Sequence, residues 1–357
     1  MPIDRYLAEH AVSLRDEESL PPPNDSLAAC VVIPAYDELE RIGDVVGSLA
    51  EATEDPSRFE VLVVVNNPES ADREIVEANT RTIERLRAAD PAFDLHVIDR
   101  ATPGRAFPDE AAGVGHARRL VMDLATRRLA DVDRPDGLIA CLDGDSPADA
   151  GYLDEALDEM RAHPDALAGV CRYRHPIPAD PEHAAAIVAY ESWMRYFELG
   201  LHHTTTPYAF QSIGSCMVLT ARGYALADGV PPREALSDFY LLQKVVKAGG
   251  RGAVQQLRGP TVRPSARPSS RVPRGTGPSV RRTMRGADER FEFVEPPSAF
   301  RDLRRWFDAL EAGFTDPDRL HERAGDPLAD FLADHGAGDV LPNFREHAPH
   351  PAHFRRH

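Results

Sequence analysis

Four short apolar runs, each closed by a polar loop and most of them followed by helical spacing, constrain this chain more than any other feature. They lie at 28–33 (Ala-Ala-Cys-Val-Val-Ile), 60–65, 95–98 and 138–142. Strands open to water on one face alternate apolar and polar residues; these runs are apolar at nearly every position, the pattern of strands covered on both faces. Between them, apolar residues recur at helical spacing: Ile42, Val45, Val46, Leu49 and Ala50; then Ile75, Ile83 and Leu86 within 71–89; then Leu120, Val121, Leu124, Ala125 and Leu129 within 117–130. Parallel strands need such crossovers. The expectation is therefore an α/β chain whose mostly parallel central sheet carries helices on both faces. Pro34 has no amide to give a ladder and is expected to stop the first strand.

Further along, 167–173 and 214–220 read as strands, and 153–160, 182–199, 235–246, 300–310 and 328–332 as helices. Asp149 is a candidate N-cap for the first of these helices. Gly249-Gly250 is expected to end the helix that begins near Ser237 and Asp238. The stretch 202–207 reads as a polar loop. Its adjacent histidines, His202 and His203, are poor ligand candidates, because sequence neighbours rarely face one ion.

In sheets of this type ligands sit beyond the carboxyl ends of the strands. The loop after 138–142 begins Asp143-Gly144-Asp145. Two carboxylates flanking a residue without a side chain suit a hard divalent cation such as Mg or Mn, whose coordination a ligand's phosphates usually complete. Taken alone, the same tripeptide is equally a solvated turn. Upstream, the stretch 101–116 reads as a long loop in which Gly113 and Gly115 let the backbone come close to a ligand or simply turn. Arg118 and Arg119 fall in the first turn of the helix expected at 117–130, where the helix dipole alone would prefer acids. Arginines there suit an anionic ligand, although Arg119 reads equally well as a plain surface residue.

The formal charge is −17, against a general nucleic-acid binder. Within that acidic background, ten arginines and no lysine occur between 251 and 290, centred on Arg263-Pro-Ser-Ala-Arg-Pro-Ser-Ser-Arg-Val-Pro-Arg-Gly-Thr-Gly277. Guanidinium groups so concentrated suit a mobile loop closing on phosphate, with Arg271 and Arg274 as contacts. The four cysteines, Cys30, Cys141, Cys171 and Cys216, lie in separate apolar runs and read as reduced core residues, not a disulfide frame or a zinc site. No run approaches a membrane span and the N-terminus lacks an apolar signal core, so a cytoplasmic protein is expected, peripheral to a membrane only through its partners.

Several motifs then fall in order. Val31-Val-Ile-Pro-Ala-Tyr-Asp-Glu38 resembles the opening signature of family 2 glycosyltransferases, which have the GT-A nucleotide-sugar-binding fold. Residues 62–70 resemble that family's second-strand nucleotide segment, and Gly113-Val-Gly-His-Ala-Arg-Arg119 its Gly-rich helix start. Leu142-Asp-Gly-Asp145 matches the DXD motif, and Ser237-Asp238 occupies the place of the acidic pair that supplies the base. The likeness covers roughly 28–250. It departs at Asn66-Asn67, where acidic residues are usual, and at Ser237, which leaves the base to Asp238 alone. The Gln-x-x-Arg-Trp motif and membrane helices of processive members are not evident.

The resemblance implies the following. Pro34, Tyr36 and Glu38 would line the base and ribose pocket, with Asn66 and Asn67 at the next position. Gly113 and Arg118 would also face the donor. Asp143 would approach ribose or metal, and Asp145 would hold Mn or Mg against the diphosphate. Asp238 would be the general base in an inverting transfer from an NDP-sugar (UDP or GDP) to a hydroxyl on a small or lipid-linked acceptor, a hexosyltransferase-like activity. A retaining transferase, a sugar-phosphate nucleotidyltransferase and a non-catalytic nucleotide-sugar-binding protein are the rival readings, and self-association stays open. The expected organisation is a lead-in segment at 1–26, a GT-A catalytic domain at 27–258, an Arg-rich flexible loop at 259–290 and a C-terminal helical extension at 291–357.

Overall fold

The computed structural model describes residues 2–14, 19–231, 236–271, 274–286, 291, 293–315 and 318–336, together with Asn343 and Glu346. Seven strands form one sheet in the order β3-β2-β1-β4-β6-β5-β7. They are β1 (Ala29–Ala35), β2 (Phe59–Asn66), β3 (Asp94–Arg100), β4 (Leu138–Cys141), β5 (Ala168–Tyr173), β6 (Met217–Thr220) and β7 (Val254–Val262). Only β6 runs against its neighbours, pairing antiparallel with both β4 and β5. The expected mostly parallel sheet is therefore present.

Alternation along the inner strands explains why both faces are covered. Val31, Ile33, Val61 and Val63 point into one core, where they meet α2 (Ile42–Ser48), α3 (Arg73–Arg87), α5 (Tyr152–Ala162) and α6 (Pro181–His203). Cys30, Val32, Leu62 and Val64 point into the other, beneath α4 (Val114–Asp131), α7 (Ala221–Leu226) and α8 (Ser237–Gly249). All four cysteines are buried and unbridged, as core residues. Of the described residues, no helix is long and apolar enough to cross a membrane.

Several local expectations change. β1 continues through Pro34, which pairs with Val64 of β2. Its β4 partner ends its pairing at Val32, so by Pro34 only one neighbour remains and the missing amide interrupts no second ladder. Asp149 does not cap α5: Gly151 does, at φ 75°, and Asp149 instead pairs with Arg263 at 2.9 Å. α6 extends to His203, which places His202 and His203 in its last turn and not in a loop. α4 starts at Val114, so Arg118 lies past the first turn.

The ends of the chain are more integrated than their composition suggests. α1 (Pro2–Glu9) buries Ile3 and Tyr6, and the Tyr6 hydroxyl donates to Asp123 of α4 at 2.6 Å. β7 runs across the expected division at 258/259, and the Arg-rich segment beyond it includes α9 (Thr276–Met284). α10 (Pro297–Thr315), α11 (Asp318–Ala324) and α12 (Asp326–Asp334) follow. Phe300 of α10 seats against Gly200 of α6, where any Cβ would collide with its ring. The tail beyond 336, with its histidines, lies outside the described residues apart from Asn343 and Glu346, as does Ala235 at the expected start of α8.

Candidate active site

The chain runs outward from β1 to β2 and β3, then returns to lay β4 on the other side of β1. Loops leaving β1 and β4 consequently diverge, and a crevice opens between them at the carboxyl end of the sheet. This is the switch point at which doubly wound sheets bind ligands. A cavity of about 760 Å³ occupies it, within the range of small-molecule sites.

The cavity gathers most of the residues singled out from sequence. Pro34, Tyr36, Glu38 and Asn66 line it from the ends of β1 and β2, and Asp143 and Asp145 from the loop after β4. Gly113 comes from the N-cap of α4 and Arg118 from α4 itself, Asp238 from the first turn of α8, and Arg271 and Arg274 from the Arg-rich segment. Asn67 is not brought in. It is 1 % exposed, and its side chain donates to the Pro68 carbonyl and accepts from Asn79. Asn66 lines the cavity while its amide donates to the Ala35 carbonyl at 3.1 Å.

Charge in the cavity is arranged in two groups. Deep inside, Arg118 is buried and donates to Asp143 at 2.8 Å and to the Ser237 hydroxyl at 3.2 Å. Its Nε has no partner among the described residues. Burial pushes the Asp143 carboxyl up, Arg118 pulls it back down, and Asp145 and Asp238 add to the upward push. Asp238 is also raised, chiefly by burial, against the pull of Arg118 and of backbone amides at the start of α8. A carboxylate at a helix N-terminus is stabilised by the dipole, so burial prevails over a real opposing effect.

The second group joins distant parts of the chain. Arg267 contacts Glu38 and lies 2.8 Å from Oδ2 of Asp145. Arg271 donates to Glu38 Oε1 at 2.5 Å and to the carbonyls of Tyr36 and Asp37 at 2.5 and 3.1 Å. Burial, then the charge of Asp145, push Glu38 well above the usual carboxylate range, with Arg267 pulling against both. Gly144 has a use that its sequence position did not reveal. A Cβ there would stand 2.8 Å from Cγ of Glu38, so the glycine makes room for Glu38.

Asp37 stands at φ 56° with its amide held by Asn79, which also reaches the Asn66 carbonyl. Asn79 thereby ties the loops after β1 and β2 together from beneath, a role its place in the middle of α3 did not suggest. Also unforeseen were Arg267, Ser237 as a partner of Arg118, and an aromatic wall of Tyr190, Trp193 and Phe291 on one side of the same cavity. Arg267 had a signal, the four-residue repeat Arg-Pro-Ser that starts at Arg263 and again at Arg267. The aromatic wall had none, since Phe291 lies about a hundred residues from Tyr190 and Trp193.

The oxygen donors Asp143, Asp145 and Glu38 have the hardness that Mg or Mn prefers. Glu38 also keeps a buried Oε2 with no partner among the described residues. Among those residues, however, no group of three or more His, Cys, Asp or Glu is arranged around a common ion position. The donor chemistry thus fits a divalent cation completed by ligand oxygens, in a space that Arg267 now shares.

No family model matches the chain, and no curated protein matches it. Solved structures similar to it include S. aureus TarS 1-349 in complex with UDP-GlcNAc, at 14% identity and a TM-score of 0.49 over 86% of this chain and 84% of that one. S. aureus TarS 1-349 is similar at 15% identity and a TM-score of 0.48 over 89% of each chain. The mannosyltransferase PcManGT from Pyrobaculum calidifontis in complex with GDP-Man and Mn2+ is similar at 17% identity and a TM-score of 0.44, over 99% of this chain and 90% of that one.

Proposed function

We propose that this chain transfers a sugar from a nucleoside diphosphate donor to an acceptor hydroxyl. One observation carries the reading: Asp143 and Asp145 at the β1/β4 switch point share a single cavity with Asp238, with Arg267 and Arg271, and with the N-terminus of α4. Glycosyl transfer needs such a combination. Negative charge grows on the departing diphosphate as its bond to the anomeric carbon breaks, and fixed cations and helix amides stabilise that charge. Meanwhile the incoming hydroxyl must lose its proton to a base on the other side of the sugar.

Asp238 is the base in this proposal. Burial raises its proton affinity while it stays in the ionised-capable setting of a helix start, which suits it to accept a proton. Arg118 holds Asp143 in place from behind, and Arg267 and Arg271 face the diphosphate. Asp145, with Asp143 or Glu38, would hold a divalent cation; such an ion, when bound, supplies further charge stabilisation for the leaving group. Pro34, Tyr36 and Asn66 would border the base and ribose. The aromatic wall of Tyr190, Trp193 and Phe291 is left for the sugar or the acceptor.

The test is a thermal-shift panel of UDP- and GDP-sugars with Mn, followed by release of the nucleoside diphosphate in the presence of candidate hydroxyl acceptors. Stabilisation by at least one sugar nucleotide, and turnover that Asp238→Asn removes, are expected. Absence of any shift across both bases would overturn the proposal.

A further inference from the structure

One terminal nitrogen of Arg267 serves two carboxylates that come from different strand ends. Its Nη2 contacts Oε1 of Glu38, beyond β1, and lies 2.8 Å from Oδ2 of Asp145, beyond β4. Arg271 repeats the arrangement less tightly, at 2.5 Å from Glu38 and 3.8 Å from Asp145. All four side chains are largely withdrawn from solvent: Glu38 is 5 % exposed, Asp145 15 %, Arg267 19 % and Arg271 27 %. A single positive centre held between two buried carboxylates is the arrangement a bridging divalent cation would make.

The contact is also anchored on both sides. Arg263, four residues before Arg267, donates its amide to the Pro147 carbonyl at 2.8 Å and pairs with Asp149 at 2.9 Å. Arg271 clamps the Tyr36 and Asp37 carbonyls, and Ser269 between the two arginines donates its amide to the Gly277 carbonyl. The arginine segment is thus tied to the loops after β1 and β4, with Arg267 placed between them.

We infer that Arg267 is the resident cation of the Glu38–Asp145 pair, and that a divalent ion and Arg267 compete for these carboxylates. The reason is electrostatic and geometric together. An ion bound to Asp145 Oδ2 and Glu38 would stand within a few ångströms of the guanidinium, where like charges repel strongly in a site shielded from water. It would also need the carboxylate oxygens that Arg267 already engages. Metal gains the pair when Arg267 turns to another anion, and a diphosphate is the anion that the proposed reaction supplies. By linkage, diphosphate and metal then favour each other's binding through Arg267. The diphosphate part rests on the glycosyl-transfer proposal; the competition between metal and Arg267 does not.

The experiment titrates Mn2+ alone into the full chain and counts free ion by electron paramagnetic resonance. Arg267→Gln is expected to bind Mn2+ at least tenfold more tightly than the wild type. Arg258→Gln makes the same change in net charge away from the cavity and is expected to bind like the wild type. Arg267→Lys keeps a cation near the pair and is expected to bind much less tightly than the glutamine variant. Adding Asp145→Asn to Arg267→Gln is expected to abolish the gain, and melting curves establish that each variant is folded. Equal Mn2+ affinity in the wild type and Arg267→Gln overturns the inference, as does a gain that survives Asp145→Asn. No nucleotide is present, so failure of the transferase proposal would leave this outcome unaffected.

Discussion

Arg118 and Asp143 are joined at 2.8 Å at the base of the cavity, the arginine buried and the aspartate side chain 37 % exposed toward the open space. Three carboxylates, Asp143, Asp145 and Asp238, face the same region, and Arg118 offsets both Asp143 and Asp238. Replacing Arg118 by Met leaves that cluster without its deep cation. Because Asp143 keeps access to water, the expected loss of stability is about 1–3 kcal/mol, short of the figure for a fully buried broken pair. Donor affinity is expected to fall at least tenfold. Thermal melting and calorimetric titration with UDP and GDP check the two effects separately; an unchanged melting temperature would contradict the structural role.

In the proposed transfer, the acid limb of activity is expected to report Asp238. A base works only when ionised, and burial raises this carboxyl above its ordinary range despite Arg118 and the backbone amides. Activity should therefore fall with decreasing pH at a value above that of an exposed aspartate. Asp238→Asn should lower the rate by roughly 10²–10⁴-fold with nucleotide affinity kept. In Arg118→Met the limb should move to higher pH, since the arginine pulls the Asp238 value down. A pH profile of kcat/KM that is the same in wild type and Asp238→Asn would remove Asp238 from the base role.

Gly144→Ala tests whether the centre of Asp-Gly-Asp is reserved for Glu38. The added methyl would meet Glu38 Cγ at 2.8 Å and Ala35 Cβ at 3.5 Å. Overpacking of this kind costs about 1–3 kcal/mol. Displacement of Glu38 also takes one of the two proposed cation ligands away from Asp145, so Mn2+ affinity should fall in this variant. Chemical denaturation and Mn2+ titration measure the two effects.

Acid sensitivity of the fold should centre on Glu191. Burial raises its carboxyl, but His175, through both its amide at 2.9 Å and its ring at 2.7 Å, and Arg195 outweigh that and bring it down to about 2. A carboxylate depressed in the folded state contributes stability above its unfolded value near 4.5 and loses it as pH falls toward 2. With solvent screening discounted, the contribution is roughly 2 kcal/mol. Glu191→Gln should be less stable than wild type at pH 6, and the gap should close toward pH 2 in urea titrations.

The N-terminal helix should be worth measurable stability. Asp123 accepts from Tyr6 and Tyr224, both at 2.6 Å, and from the Val12 amide at 2.7 Å. Tyr6→Phe removes one charge-assisted bond from a buried carboxylate, an expected loss of about 1.5–3 kcal/mol. Sugar-nucleotide binding should stay as in the wild type, because α1 lies outside the cavity. An unaltered urea midpoint would show that α1 is only loosely attached.

By itself the sequence marked six of the seven strands, all but β7, most of the helices that cover the sheet and which loops carry acids, but not α1, α7, α9 or α11. Continuous apolar runs such as 60–65 can be buried only between two layers, and the helical stripes that follow them are local patterns. That information survives without knowing any distant contact. The motifs that resemble family 2 glycosyltransferases also pointed to Asp143, Asp145, Asp238 and Arg118 as candidates, and all four line one cavity. Tertiary structure alone decided which charges meet. Glu38 finds Arg267 and Arg271 more than 225 residues away, Ser237 finds Arg118 across 119, and Asn67 turns inward to Asn79 while its neighbour Asn66 lines the cavity. Such pairings depend on strand order and on the angle at which a loop leaves the sheet, and no periodicity along the chain encodes either. The tripeptide Asp143-Gly-Asp145 shows both sides of this division. Its acids were legible as a pair, but the need for its glycine became visible only when Glu38 was seen packed against it.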